Sequence, residues 1–284
     1  MFRSAATKAT SAILSANSTT CSQLTAAARQ QSSQHAIKYV EPISELYRHD
    51  HDDRCGTSST RADAQPRLIN FNRLTGDHVE SVLSLYLGPY LDIEPLNRAV
   101  GLTRREAQTS YREMLDNAAR DGNSFVAVDE DREKVVGAII NEKQLRGRYL
   151  YTSRTSDKLA RIHAFLRFVE GDAFAQLPHA QMILKIQSAV VRQGYQNHGI
   201  GNMLMQMSVD RAIQEQCDYI TGIATSPLIQ NMLYFKLGFR PVWSCSTMTY
   251  AEEDTQEMPF QCIAHSSPSV VFMARNLVEQ PEQY

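Results

Sequence analysis

The feature that most constrains this chain is the junction VVRQGYQNHGIG at residues 190–201. There a run of strand character, QMILKIQSAVV (181–191), gives way to a helical run, GNMLMQMSVDRAIQEQ (201–216). Gln196, Gly199 and Gly201 sit where backbone amides can converge on an anion. A helix start offers unpaired N–H groups and a partial positive charge, and glycine lets a phosphate approach without a Cβ clash. The plainer alternative is a tight strand-to-helix turn with no ligand. The spacing lacks the third glycine and acidic ribose ligand of a dinucleotide fingerprint, and it has no Gly-Lys-Ser/Thr for a P-loop.

Periodicity extends this junction into a domain. LINFNRL (68–74) is a short strand candidate, and the run after Thr75 has helical spacing at Val79, Val82, Leu83 and Tyr86. A second helix is expected over 103–119, with Thr103 and Glu106 in a capping-box arrangement. SFVAVDEDREKVVGAIINE (124–142) reads as a hairpin turning at 129–133, and SDKLARIHAFLRFVEGDAF (156–174) as a helix inserted over 143–178. Past the glycine turn come a strand at 217–224, a helix at 229–238 ended by Gly238, and a strand at 239–246. His163, beside the apolar stripe of the inserted helix, fits a core or boundary histidine better than a catalytic one.

The first 40 residues are rich in Ser, Thr and Ala, carry Arg3, Lys8, Arg29 and Lys38, and contain no acid. That composition suits either a mitochondrial transit peptide or a disordered extension on a cytoplasmic protein. The charged, turn-rich passage that follows places the start of the folded domain at Arg67, giving an extension of 1–66 and a single domain of 67–284. With 29 Lys and Arg against 31 Asp and Glu, the net charge of -2 suggests no nucleic-acid partner. Five cysteines without metal-ligand spacing suggest neither a metal nor a disulfide framework, and no apolar run is long enough for a membrane span. The oligomeric state is open.

Val191 and the run from Gln196 to Gly201 resemble the cofactor motif of the GCN5-related N-acetyltransferase superfamily. LYFKLGFRPV (233–242) resembles the family's second signature at the expected separation, and LDIEPLN (91–97) is similar to the DEPLN stretch of insect-type arylalkylamine (dopamine) N-acetyltransferases. The resemblance spans roughly residues 68–275. It implies an α/β fold of the α+β kind, with a mixed, mostly antiparallel central sheet flanked by helices. It implies acetyl-CoA as co-substrate and a small primary amine as acceptor. The donor's pyrophosphate would be held at Gln196, Asn197, His198, Gly199, Ile200, Gly201 and Asn202. Ala189, Val190 and Val191 would pair with its pantetheine arm, and Val191 and Arg192 would help contact the thioester.

An alkylamine with a pKa near ~10 is about one part in a thousand neutral at pH 7, a handicap of roughly 4 kcal/mol to attack on a thioester. A general base removes it. Glu94 is the candidate: a carboxylate before a proline is held in an extended segment, and the insect-type enzymes use the matching Glu as base. The alternative is that Glu94 and Asp92 are ordinary loop acids, or contact the amine only electrostatically. Tyr234 occupies the position of the superfamily's general-acid tyrosine; otherwise it is a tyrosine packed on the sheet. The insect-type enzymes use serines here, of which Ser226 matches one while Gln230 replaces the other, a departure that favours Tyr234 for protonating the thiolate. Lys185 and Gln187 stand where vertebrate arylalkylamine acetyltransferases carry two histidines, so no histidine relay is expected, and His198 reads as a phosphate-side or exposed residue. An acceptor pocket is expected near Asp92, Glu94 and Tyr151. The other readings are a protein or peptide N-acetyltransferase and a CoA-binding regulatory protein without turnover.

Overall fold

The structure, a computed structural model, describes residues 36–38, 68–147 and 155–278. Of the expected extension, only a three-residue strand, β1 (Ala36–Lys38), is described; it pairs antiparallel with β2 (Leu68–Arg73). The hairpin forms as expected from β3 (Phe125–Asp129) and β4 (Lys134–Leu145), closed by a 3-10 turn and by Glu133 in the left-handed region at φ 48°. β5 (Met182–Val191) is the long strand before the glycine turn, followed by β6 (Tyr219–Ala224), β7 (Arg240–Ser246) and β8 (Ser269–Asn276). The sheet order is β1-β2-β3-β4-β5-β6-β8-β7, and every pairing is antiparallel except β5 with β6.

β8 is not among the expected strands. Its residues Val270 to Ala274 are all buried, so SVVFMARN shows no period-two alternation, as suits a strand covered on both faces. The chain leaves β6, crosses to the sheet edge as β7, and returns as β8 between them.

Helices cover both faces. On one lie α1 (Val79–Leu85), α2 (Pro95–Ala99), α3 (Arg104–Asp121) and α4 (Asp157–Glu170), burying Leu83, Leu96, Leu115 and Phe165 in one core. On the other lie α5 (Ile200–Gln214) and α6 (Pro227–Asn231), with Leu204, Val209, Leu233 and Leu237 in a second core. α1 runs on into a wide helical turn, Tyr86–Tyr90, that contains Pro89; a residue without an N–H cannot extend the regular ladder. The capping box of α3 is present, with the Thr103 amide donating to Glu106 Oε2 at 2.9 Å and the Glu106 amide donating to Thr103 Oγ1 at 3.4 Å. α4, read from the sequence as an insertion, is a core helix: Phe165 is fully buried and stacks on Phe260 at 4.6 Å between ring centroids.

Truncating Phe165 to Ala is expected to lower stability by about 3–5 kcal/mol in urea denaturation. Phe168→Ala, on the exposed side of the same helix, is expected to lose under about 1.5 kcal/mol.

Candidate active site

β5 pairs with β4 as far as Val191, yet with β6 only from Ile183–Tyr219 to Ile186–Gly222. Beyond that point the two parallel strands part. The β4–β5 register shifts between Ile140, opposite Ser188, and Asn141, opposite Ile186, which leaves Gln187 as an extra residue. A bulge of this kind bends its strand and increases the local twist. Asn141 pins it, its Nδ2 donating to the Asn123 carbonyl and to Ser208 Oγ, both at 2.8 Å, while its amide donates to Ser124 Oγ at 3.0 Å. The β6-facing side of residues 187–191 therefore has no ladder partner among the described residues. Apart from the Val191 carbonyl, which accepts from the Gln196 side chain, the N–H and C=O groups on this side are available to an extended ligand arm.

The turn follows directly. The Arg192 amide donates to the Val136 carbonyl at 2.7 Å, extending the ladder by one bond, and the Tyr195 amide donates back to the Arg192 carbonyl at 3.0 Å. Gly199 caps α5 at φ 78°, where a side chain would be strained. At Gly201 a Cβ would meet only Val191 Cγ2 at 3.7 Å, an ordinary contact, so packing within the chain leaves room for a side chain there. Gly137 differs: a Cβ on it would lie 3.2 Å from both Ile200 and Leu204, so its absence lets the start of α5 settle on β4. Gln196 Nε2 donates to the Val191 carbonyl at 3.1 Å, and exposed His198 contacts the Gln196 carbonyl through Nδ1 at 2.7 Å. Both side chains brace the turn. The first amides of α5 have no partners within the helix and face outward from it.

Glu94 stands at φ -71°, ψ 121°, the extended conformation imposed by Pro95, and it caps α2. Its Oε2 accepts the Asn97 amide at 2.7 Å, whereas the buried Oε1 has no hydrogen-bond partner among the described residues. Only 8% of the residue is exposed. Burial pushes its carboxyl up to about 7, against the opposing effects of the Asn97 amide, the Thr225 hydroxyl and the Leu96 amide. Tyr86, Tyr90 and Tyr111 form a cluster with ring centroids 4.8, 5.5 and 6.1 Å apart, and the charge of Glu94 acts on both Tyr90 and Tyr111. Burial pushes all three phenols up, so they stay protonated. Tyr86 Oη lies 2.6 Å from Ser188 Oγ, which ties the cluster to the parted half of β5. Thr225 directly follows β6, so the carboxylate stands at the open end of the parting.

The remaining candidates fall around this centre. Ser226 caps α6, its Oγ accepting the Ile229 amide at 3.4 Å. Gln230 donates to the carbonyls of Ala224 at 3.3 Å and Ser269 at 2.9 Å and so ties α6 to two strands. Tyr234 lies on the wide turn after α6, 39% exposed, with the Arg240 guanidinium 4.8 Å above its ring. Asp92 is exposed, and Tyr151 lies outside the described residues. Half-buried His163 is the expected boundary histidine: burial, then Arg167 and Lys185, push its pKa down. Lys185 pairs with Glu170, and Gln187 donates to Glu142 at 2.6 Å.

The sequence model of the acetyltransferase (GNAT) family matches residues 94–239, just over half of the chain. The chain belongs to this family. It is an N-acetyltransferase that uses acetyl-CoA. No curated protein matches its sequence. Among solved structures it is similar to a mosquito arylalkylamine N-acetyltransferase like 5b, at 18% identity and a TM-score of 0.65 over 74% of this chain and 100% of the other. Arylalkylamine N-acetyltransferase 2 from Aedes aegypti aligns at 18% identity and TM-score 0.65, covering 74% and 99%. The polyamine N-acetyltransferase of Drosophila melanogaster aligns at 17% and 0.59, covering 74% and 100%. At such identities the likeness is one of fold.

Several members of this candidate site carried little sequence signal. Tyr86 and Tyr90 are four residues apart, the spacing of one helical face, but Tyr111, Ser188 and Thr225 come from three other elements and meet them only in the fold. A carboxyl raised from 4.5 to about 7 opposes folding when ionised. The folded state favours its protonated form, so the penalty is absent below about pH 4.5 and complete above about pH 7, where it is roughly 3 kcal/mol. Glu94→Gln is therefore expected to raise stability by about 2–3 kcal/mol at pH 8 and by almost nothing at pH 4, read from urea denaturation at the two pH values.

Proposed function

We propose that this acetyltransferase transfers the acetyl group of acetyl-CoA to the primary amine of a small arylalkylamine, with Glu94 as general base and Tyr234 as general acid. The observation that carries the proposal is the Glu94 carboxyl: buried, with one oxygen unpartnered among the described residues, raised to about 7 and close enough to act on Tyr90 and Tyr111, two rings of a three-tyrosine cluster. A base whose pKa lies near the working pH is both sufficiently ionised and sufficiently basic. The tyrosine rings offer an aromatic wall for an aryl group and a negative face for an ammonium before it loses its proton. That structural neighbours act on arylalkylamines and agmatine favours a small amine over other acceptors.

The bound ammonium first gives one proton to solvent; Glu94 then takes a second from the neutral amine, directly or through a water, as the freed nitrogen lone pair forms the C–N bond at the thioester carbonyl. The C–S bond then breaks, and the departing sulfur takes the phenolic proton of Tyr234; Ser226 keeps its capping role. Ala189, Val190 and Val191 align the pantetheine arm along the free side of β5. Gln196, Asn197, His198, Gly199, Ile200, Gly201 and Asn202 hold the pyrophosphate through the amides of the turn and the first turn of α5. Holding the two reactants in line removes much of the entropic barrier.

The test is thiol release from acetyl-CoA with phenylethylamine, tryptamine, agmatine and a short peptide as acceptors. Aryl amines are expected to give the highest kcat/KM, rising with pH through about 7. Glu94→Gln should lower it by about 100-fold at pH 7 and abolish that limb of the pH profile. Tyr234→Phe should lower kcat by roughly tenfold or more. Unchanged transfer in both variants, or a peptide preferred over every amine, would contradict the proposal.

A further inference from the structure

Tyr195 lies inside the turn between β5 and α5, yet its side chain turns away from the ligand face and is buried. Its hydroxyl donates to Asp129 Oδ2 at 2.6 Å and accepts from Arg132 Nη1 at 2.9 Å. Asp129 ends β3 at 1% exposure, and Arg132 sits on the hairpin turn that follows. Residues more than 60 positions apart in sequence thus meet on one phenol. A carboxylate so buried needs a hydrogen-bond donor, and a chain from guanidinium through hydroxyl to carboxylate polarises each bond in it.

The turn needs such an anchor. It contains Gly194, Asn197 and Gly199 at φ 84°, 63° and 78°. Asn197 has a side chain and sits in the left-handed region, where a conformation persists only if its surroundings hold it. The backbone bonds from Arg192 to Val136 and from Tyr195 to Arg192 fix the turn's entry, not its apex. A turn that a ligand must first order binds that ligand more weakly.

We propose that Tyr195, held by Asp129 and Arg132, is a positioning residue that sets the apex of the turn for the donor's pyrophosphate. It touches neither donor nor amine. The inference rests on the proposed role of residues 196–201 as the pyrophosphate turn. Its mark is a selective one, because an effect exerted through the turn is felt only by a donor that carries the pyrophosphate.

The experiment compares acetyl-CoA with S-acetylpantetheine, which has the thioester and pantetheine arm but no pyrophosphate. Tyr195→Phe is expected to raise KM for acetyl-CoA by about tenfold, with kcat and the amine KM changed less than about twofold. Its kcat/KM for S-acetylpantetheine should match that of the unaltered enzyme. Arg132→Ala, which disturbs no buried packing, should shift KM for acetyl-CoA in the same direction by about threefold, and it carries the test if Tyr195→Phe does not fold. Gly201→Asp checks the underlying role by placing a carboxylate at the anion site. If Gly201→Asp weakens acetyl-CoA alone while Tyr195→Phe and Arg132→Ala do nothing, the anchoring role is overturned and the turn's role stands. If Gly201→Asp does not discriminate between the donors, the turn's role falls and the inference with it. Equal losses on both donors in Tyr195→Phe would mark a general structural residue and overturn the proposal.

Discussion

The parting of β5 from β6 is the constraint on which the rest of this molecule depends. Two parallel strands hydrogen-bond through four residue pairs and then separate, leaving five residues of β5 without a strand partner on one side in the interior of an eight-stranded sheet. Free backbone groups inside a sheet are costly unless something pairs with them. The bulge at Gln187 creates the divergence, and the buried Asn141, Ser124 and Ser208 hold it from the α5 side. The fold thus leaves one side of residues 187–191 without a strand partner, with the glycine turn directly after β5 and Thr225, which acts on Glu94, directly after β6.

Glu94 shows what burial costs a carboxylate in this fold. Pro95 fixes its backbone, the Asn97 amide holds one oxygen, and burial raises its carboxyl to about 7. The same dehydration makes its charged form unfavourable in the folded protein. The short helix α2 is held at one end by the carboxylate it serves to position.

Local patterns made much of this legible. The glycine turn, the hairpin, the Thr103 capping box and the extended Glu94 each rest on a few neighbouring residues, and each appears where the sequence indicates. β8 escaped because an apolar run buried on both faces has no alternation, and the connection before it, 247–268, offers no period at all. The tyrosine cluster, the bulge and the Tyr195 anchor join residues dozens of positions apart. Nothing near Tyr195 marks it as different from a turn residue that faces solvent; Asp129 and Arg132, from the β3 hairpin, hold its buried hydroxyl. Gln230 was legible as a departure from serine but not as a tie between α6 and the strands.

Backbone hydrogen exchange, with and without saturating CoA, measures the central claim directly, since the free amides of the parted strand exchange with water unless a ligand pairs with them. The account predicts slowed exchange across residues 187–203, covering the free half of β5, the turn and the start of α5, with residues 68–73 of β2 unchanged. Saturable CoA binding that leaves 187–191 exchanging at the unliganded rate would contradict it.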